Sequence, residues 1–252
     1  MPTPKYHLLV IVGPTASGKT ALAIELARKL NGEIICADSR TVYKYMDIGT
    51  AKPSRQEQAA VRHHLIDVIK PDEPFTVADF KKLALQAIED INKRGKLPIM
   101  IGGSGLYVDS VIFDYDFAGA SGGRDSVNPR HRAPEAEHAK SPLREGTFII
   151  GLNPGREMLK QKLTVRVDKM VENGFVEEVA MLHKKYPSAK ALDAPGYRAF
   201  SDYLRGEIDL NQAKAAFATR DYQLAKRQMT WFKRNPNIRW FDSAESALSY
   251  LI

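Results

Sequence analysis

Gly13-Pro14-Thr15-Ala16-Ser17-Gly18-Lys19-Thr20 is the stretch that decides the fold, because it matches the pattern GxxxxGK[ST]. The apolar run Leu8 to Val12 comes before it, and a helical repeat of apolar residues from Ala21 to Leu30 follows it. Strand, glycine-rich loop and helix in that order form the context in which this pattern binds phosphate. A chance glycine turn is the weaker interpretation.

Each residue type in this loop suits phosphate. Glycines let backbone N–H groups wrap the anion, and the following helix adds positive potential at its amino end. Lys19 can neutralise phosphate oxygens, and Thr20 can hold Mg²⁺. The predicted phosphate-binding residues are Gly13, Thr15, Ala16, Ser17, Gly18, Lys19 and Thr20, with Thr20 also the predicted metal ligand.

Working outward, two further apolar runs, Glu33 to Ala37 and Leu97 to Ile101, predict strands, and Val77 to Lys93 predicts an amphipathic helix between them. Buried strands that alternate with helices indicate an α/β fold, a P-loop NTPase-like parallel sheet flanked by helices. Ligands of such sheets bind at the carboxyl ends of the strands. The loop 13–20, Asp38 and the segment 102–105 should therefore converge.

The chain divides into three predicted regions. Residues 1–117 form the P-loop core, and residues 118–146 form a shortened, mobile insertion, because they are rich in Gly and Pro and lack apolar periodicity. Residues 147–252 complete the core and add a helical, basic part. In that region we predict strands at 147–152 and 238–241, helices at 156–173, 176–185 and 210–235, and a terminal helix.

Composition narrows the functional classes. The chain has 252 residues, a formal net charge of +7 and a pI near 9.3, which favours a polyanionic partner. Its single cysteine, Cys36, excludes an intrachain disulfide framework and is interpreted as a buried strand residue. The short segment before Leu8 does not resemble a signal peptide, so we expect a cytoplasmic protein without a membrane partner.

Several blocks in one order resemble the tRNA dimethylallyltransferases. They are DSRTVYKYMDIGTAKP (38–53), HHLIDV (63–68), FTVADF (75–80), IGGSGLYVDSVI (101–112), RVDKMVENGFVEEV (166–179), GYRAF (196–200) and LAKRQMTWFKR (224–234). The resemblance implies transfer of the five-carbon group of dimethylallyl diphosphate to the exocyclic amine of the adenosine just 3′ of the anticodon. It implies that the P-loop holds the diphosphate leaving group, together with Mg²⁺.

The resemblance also implies three catalytic residues. Asp38 would be the general base for the adenine amine; a magnesium-binding or structural aspartate is the alternative. Ser104 would bind the bridging diphosphate oxygen, unless it only caps the next helix. Arg220 would contact the diphosphate, although a strict alignment on the block AKRQ puts Tyr222 at that position.

Two segments carry the predicted contacts with the anticodon arm of tRNA. The predicted tRNA-binding residues are Ser39, Arg40, Thr41, Tyr43, Gly49, Thr50, Lys52, Lys226, Arg227, Gln228 and Lys233. In the second segment an apolar stripe of Ala213, Phe217, Leu224 and Trp231 also contains Arg220 and Arg227, which favours a crevice-facing role for these arginines over a buried ion pair. Trp231 and Phe232 are interpreted as packing residues.

The region 118–146 is where the chain departs from the family, whose members carry a longer helical lobe there. Only Asn128 to Ala133 resembles that lobe. Binding of the anticodon arm should therefore depend mainly on the basic helix and on the loops around Asp38. We expect a monomer. The alternatives are an adenylate dimethylallyltransferase that modifies AMP or ATP, a P-loop kinase with Arg124 to Arg144 as its lid, and a noncatalytic RNA-binding protein.

Overall fold

A computed structural model describes residues 6–115 and 142–252. Its strands are β1 (Leu8–Val12), β2 (Gly32–Cys36), β3 (His63–His64), β4 (Leu97–Gly102), β5 (Thr147–Leu152) and β6 (Ile238–Phe241). The helices are α1 (Lys19–Lys29), α2 (Arg55–Ala60), α3 (Val77–Lys93), α4 (Gly105–Ile112), α5 (Arg156–Glu172), α6 (Phe175–Lys185), α7 (Pro195–Leu204), α8 (Leu210–Phe232) and α9 (Ala244–Leu251). A short 3₁₀ helix, Lys190–Asp193, precedes α7.

The six strands form one sheet in the order β3-β2-β4-β1-β5-β6, and every pair is parallel. The sequence therefore predicted the α/β class correctly. All five residues of β1 are buried, because helices cover both faces of a parallel sheet. The carboxyl ends of β1, β2 and β4 lie side by side, since Val12 pairs with Gly102 and Cys36 with Ile101. This edge carries the P-loop.

Helices α3 and α4 pack on one face of the sheet, and α1 and α9 pack on the other. The bounds predicted for α3 are those of the structure, and its start is fixed by a capping box in which Thr76 and Asp79 bond each other's backbone N–H. Cys36 is 3% exposed within the second of these cores, as predicted. No helix among the described residues is long and apolar enough to cross a membrane.

Helices α5 to α8 build a separate apolar cluster beside the sheet, centred on Phe175, Tyr197 and Phe200. Helix α7 was not predicted from the sequence; its first residue, Pro195, has the fixed φ that suits a helix start. The same cluster receives Met46 from the loop after β2. Packing of this loop on the helical cluster fixes its position over the sheet edge.

The predicted inward face of α8 is correct at Ala213 and Phe217 and wrong by one residue in the next two turns. The buried residues are Ala213, Phe217, Asp221, Ala225 and Phe232. From Ala213 to Ala225 they follow at four-residue spacing, which places them on one side of the helix. Asp221, and not Arg220, therefore lies on the inner face. The insertion predicted at 118–146, with its remnant lobe and kinase lid, lies almost entirely outside the described residues.

Candidate active site

A crevice with a cavity of about 220 Å³ lies at the carboxyl ends of β1, β2 and β4. The three segments that the sequence predicted to converge therefore do so. The crevice is lined by Thr15, Ala16, Ser17, Gly18, Lys19, Thr20, Ala21, Cys36, Asp38, Thr41, Thr50, Ala51, Pro53, Ile101, Gly102, Gly103, Arg166 and Gln228.

The P-loop backbone curls in the way an anion site requires. Ala16 (φ 60°) and Gly18 (φ 93°) both have left-handed conformations, and alternation of such residues turns successive N–H groups toward one point. Gly18 is also the N-cap of α1, so the amino end of that helix faces the crevice. Gly13 is not among the lining residues. A Cβ there would clash with the carbonyl of Leu152, so this glycine permits close packing of the loop on β5.

Lys19 folds back over the P-loop. Its Nζ donates to the carbonyl oxygen of Pro14 at 2.6 Å and to Ser17 Oγ at 3.4 Å. Burial lowers the pKa of Lys19 to about 8; Asp38 acts in the opposite direction, and Arg166 lowers the pKa further. The ammonium is thus poorly compensated by the protein, and a bound anion would stabilise its charged form.

Asp38 and Ser104 are held by the backbone between β2 and the following loop. Asp38 Oδ1 accepts from the N–H of Arg40 at 2.8 Å, and Ser104 Oγ accepts from the N–H of Ser39 at 3.0 Å. Ser104 occupies the N-cap position of α4, but its side chain makes no capping hydrogen bond to that helix. Ser104 instead ties the loop after β4 to the segment that carries Asp38.

Two side chains from helices α5 and α8 form hydrogen bonds with Thr15 of the P-loop. Gln228 Oε1, on α8, accepts from the Thr15 N–H at 2.8 Å, and the Arg166 guanidinium, on α5, donates to Thr15 Oγ1. Gln228 also packs against Gly103, where a Cβ would clash with its amide. Gln228 therefore lies in the crevice, and its predicted contact with tRNA stays a prediction.

Arg166 is a cation of the crevice that was not predicted as a site residue from the sequence. Its Nη1 lies 3.9 Å from Asp221 Oδ2. Asp221 is 5% exposed, and both its Oδ2 and Arg166 Nε are buried without a hydrogen-bond partner in the described structure. Burial raises the pKa of Asp221, an effect that Arg166 opposes and Asp38 reinforces. Arg166 opens the block RVDKM, so a signal was present in the sequence.

Arg220 is not among the residues that line the crevice, so its predicted contact with the diphosphate stays a prediction that the structure does not support. Its Nη1 donates to the carbonyl of Pro195 at 3.4 Å, and its Nη2 lies 3.9 Å from Asp202 on α7. The preferred crevice-facing role is therefore wrong for this arginine. Tyr222, the residue of the alternative alignment, packs beside α5 with Leu159 and Leu163.

Glu178 on α6 anchors the loop after β2. Its carboxylate accepts from the N–H groups of Asp47, Ile48 and Gly49 at 2.9, 2.7 and 3.0 Å, and from the Tyr197 hydroxyl at 2.7 Å. A Cβ at Gly49 would clash with Phe175 and Tyr197. Gly49 is therefore needed for packing, and its predicted contact with tRNA is not supported.

The side chains of Thr50 and Lys52 are also engaged within this loop. Thr50 Oγ1 donates to the carbonyl of Met46 at 2.6 Å. Lys52 Nζ is 3% exposed and contacts Asp67 Oδ1 at 2.6 Å, the carbonyl of Tyr43 at 2.8 Å and Asp47. The three donors of this ammonium are thus all taken up by acceptors within the protein, and the predicted contact of Lys52 with tRNA stays a prediction.

The remaining predicted tRNA contacts differ in exposure. Thr41 is 6% exposed and lines the crevice, whereas Ser39, Arg40 and Tyr43 are half-buried beside Asp38. On α8 the exposed cations are Lys226, Arg227 and Lys233, none of which has a carboxylate within ion-pair distance in the described structure. Trp231 and Phe232 pack on the core, as predicted. The surface of α8 is available to a polyanion.

The crevice residues fit Mg²⁺ bound in the manner of a P-loop. Thr20 and Asp38 place a hydroxyl and a carboxylate in one cavity, and oxygen donors are what Mg²⁺ prefers. No group of three or more His, Cys, Asp or Glu side chains that could hold a metal exists among residues 6–115 and 142–252. A cation here would therefore depend on phosphate oxygens and water for most of its ligands.

Comparisons with known proteins agree with this geometry. A family model described as IPP transferase matches residues 41–139 and 129–235. A tRNA dimethylallyltransferase of Acetivibrio thermocellus is 39% identical over 97% of this chain and 96% of its own length, and that of Carboxydothermus hydrogenoformans is 39% identical over 96% and 93%.

Solved structures give the same result. The tRNA isopentenylpyrophosphate transferase of Bacillus halodurans superposes with a TM-score of 0.83 at 34% identity, covering 97% of this chain and 93% of its own. A eukaryotic dimethylallyltransferase acting on tRNA superposes with a TM-score of 0.79 at 26% identity, covering 95% and 74%.

Proposed function

The chain belongs to the IPP transferase family, and we propose that it transfers the dimethylallyl group of dimethylallyl diphosphate to the exocyclic amine of the adenosine 3′-adjacent to the anticodon of tRNA. The observation that carries this proposal is the presence of Lys19 and Asp38 in a single crevice. One is a phosphate-binding cation and the other a carboxylate base. Transfer of a carbon group from a diphosphate to a nitrogen needs both.

The reaction balances with these groups. The adenine amine nitrogen forms a bond to C1 of the dimethylallyl group as the bond from C1 to the bridging oxygen breaks. The diphosphate leaves with the electron pair of that bond. The amine proton passes to Asp38, whose Oδ1 is fixed by the Arg40 N–H at 2.8 Å.

Charge that develops on the leaving diphosphate is offset by the P-loop. Its N–H groups, the amino end of α1 and the Lys19 ammonium face the crevice. Mg²⁺ bound at Thr20 would add further charge neutralisation to the leaving oxygens. Ser104 Oγ, 3.0 Å from the Ser39 N–H, would donate its hydroxyl proton to the bridging oxygen.

We assign to Arg166 the diphosphate contact that the resemblance suggested for Arg220. Arg166 lines the crevice and already touches Thr15 of the P-loop. Asp221, buried 3.9 Å behind it, acts as a positioning residue that keeps the guanidinium at the crevice. Because the substrate is tRNA, we place the action of the protein in the cytoplasm, and we expect it to work as a monomer.

Single-turnover transfer of label from radiolabelled dimethylallyl diphosphate tests this function. The acceptors are unmodified tRNA with adenosine next to the anticodon and, in parallel, AMP, both with Mg²⁺. We expect label in tRNA alone, and a loss of at least about 100-fold in Asp38→Asn with RNA binding retained. Label only in AMP would assign the protein to nucleotide modification. Absence of transfer by the wild type would leave an RNA-binding protein.

A further inference from the structure

A second and larger cavity adjoins the crevice and is not used by the chemistry described above. We call it the α5 groove; its volume is about 880 Å³. One wall is the segment from Asp47 to Gln58, which ends in the first turn of α2, and the other is α5. The groove is lined by Asp47, Ile48, Ala51, Lys52, Pro53, Ser54, Arg55, Gln58, Asp67, Gln161, Lys162, Val165, Arg166, Lys169, Met170 and Asn173.

Helix α5 turns a row of cations toward this groove. Lys162, Arg166 and Lys169 are spaced by four and three residues, which places them on one face of the helix. The core-facing residues Leu159, Leu163, Val167 and Met170 form the adjacent buried stripe. The cationic face is therefore set by the same periodicity that packs the helix.

The charge balance of the groove is positive. Five cationic side chains and two carboxylates line it, a net charge of +3. Both carboxylates, Asp47 and Asp67, contact Lys52. By contrast, Arg55, Lys162 and Lys169 are exposed, and none has a carboxylate within ion-pair distance in the part of the chain that the structure describes. Cations without a partner at ion-pair distance thus stand on both walls.

The α5 groove continues directly into the crevice, because Ala51, Pro53 and Arg166 line both cavities. In the proposed reaction the P-loop binds the phosphates of dimethylallyl diphosphate. The five-carbon group of this donor carries no charge. The groove is about four times as large as the crevice and has its own separate cations. These features fit a polyanionic substrate that lies along the groove and places its reacting group in the crevice.

We propose that the α5 groove binds the sugar–phosphate backbone of tRNA beside the acceptor adenosine, with Arg55, Lys162 and Lys169 contacting phosphates. This inference rests on the proposed function. RNA also suits the uncharged part of the lining, where Val165 is 53% exposed and offers apolar surface to a ribose or base. Specificity for the adenosine stays with the crevice.

The test compares two double charge reversals. Lys162→Glu with Lys169→Glu alters the groove, whereas Lys160→Glu with Lys184→Glu changes as many exposed lysines on α5 and α6 outside it. Filter binding of an anticodon stem-loop RNA over a range of salt concentrations gives the affinity and its salt slope. Calorimetry with inorganic diphosphate reports the P-loop, and single-turnover transfer at saturating RNA reports the chemistry.

We expect the groove variant to bind the RNA at least about tenfold more weakly, and its salt slope to fall by about 1.4 for two lost phosphate contacts to single-stranded RNA. Diphosphate affinity and transfer at saturating RNA should stay within about twofold of the wild type, and the control variant should lose less than about threefold in RNA affinity.

Three outcomes would overturn the proposal. RNA affinity equal to that of the control would mean that only overall charge matters. A selective loss of diphosphate affinity would assign the α5 groove to the donor. Unchanged affinity in both variants would mean that RNA binds elsewhere. Failure of the proposed function is distinguishable from all three, because the wild type itself would then transfer no label to tRNA.

Discussion

Buried charged residues have opposite roles at the two edges of the sheet, which are formed by the amino ends and the carboxyl ends of its strands. At the edge opposite the crevice, Glu33 on β2 is 1% exposed and accepts from Arg94 Nη2 at 2.9 Å, Lys96 Nζ at 2.9 Å and His64 Nε2 at 2.7 Å. Burial alone would raise the pKa of Glu33, but these hydrogen bonds hold it well below its usual range. Every charge in this cluster has a partner.

At the crevice edge the pairing is incomplete. The Lys19 ammonium has only hydroxyl and carbonyl acceptors within hydrogen-bond distance, and Asp221 Oδ2 and Arg166 Nε are buried without a hydrogen-bond partner in the described structure. Unsatisfied buried groups cost stability, and a ligand can recover that cost. Glu33 therefore stabilises the fold, whereas the crevice keeps N–H donors of Lys19 and Arg166 that a bound diphosphate can engage.

The largest effect should follow removal of the crevice arginine. Arg166→Ala should lower kcat/KM for dimethylallyl diphosphate by about 10²- to 10³-fold, since one preorganised donor to a developing anion is worth that much. Steady-state kinetics with saturating tRNA measures it. Arg220→Ala is the matched control and should stay within about twofold. A larger loss in Arg220→Ala than in Arg166→Ala would return the diphosphate contact to Arg220, and equal losses would remove the distinction between the two arginines.

Glu33→Gln should leave transfer unchanged and destabilise the fold. We expect a loss of about 2–3 kcal/mol in the free energy of unfolding, because cations that are partly open to water retain some solvation. In the wild type this contribution is present above the usual glutamate pKa and is lost as pH falls toward the lowered pKa. Denaturant unfolding at pH 7 and pH 4 measures both effects.

Glu89→Gln is the control for that stability measurement. Glu89 pairs with Lys93 at 2.6 Å on the exposed surface of α3, where screening by solvent leaves such a pair little effect on stability. A comparable loss in Glu89→Gln, or an unchanged stability in Glu33→Gln, would remove the proposed distinction between the two edges of the sheet.

Binding of dimethylallyl diphosphate should weaken as pH rises past the pKa of about 8 that burial gives to Lys19. The free protein then loses the proton that the complex requires, so affinity should fall by up to about tenfold per pH unit. Calorimetry between pH 7 and pH 9 should show proton uptake. Lys19→Arg keeps its charge in this range and should remove the uptake; uptake that persists would exclude Lys19 as its source.

The smallest effect concerns Asp109, behind the crevice on α4. Trp231 Nε1 donates to Asp109 Oδ2 at 2.5 Å, and burial raises the pKa of this carboxyl to about 7 although the indole bond opposes it. Wild-type stability should therefore fall as pH rises from the usual aspartate pKa to about 7. Asp109→Asn should remove this pH dependence, because an amide does not titrate in this range. Thermal unfolding between pH 4 and pH 8 measures it, and an unchanged pH dependence in the variant would contradict it.

The local sequence was sufficient to predict a strand or helix whose apolar pattern and end residues all lie within that element. The bounds of β1, β5, β6 and α3 follow directly from apolar periodicity and capping residues. The P-loop and Asp38 could be identified because a strand end and a glycine-rich turn are adjacent in sequence. Helix α7 was missed because its apolar residues contact a cluster built from α6 and α8, which no local window contains.

The sequence by itself determined the parallel α/β fold, the phosphate-binding loop and the family. Only the tertiary structure decided which cations serve the crevice. Arg220 and Lys52 are neutralised by partners from other elements, whereas Arg166 and Gln228 are brought to Thr15 from 151 and 213 residues away. A side chain's role depends on its neighbours in space, and long-range packing of helices on the sheet edge chooses those neighbours.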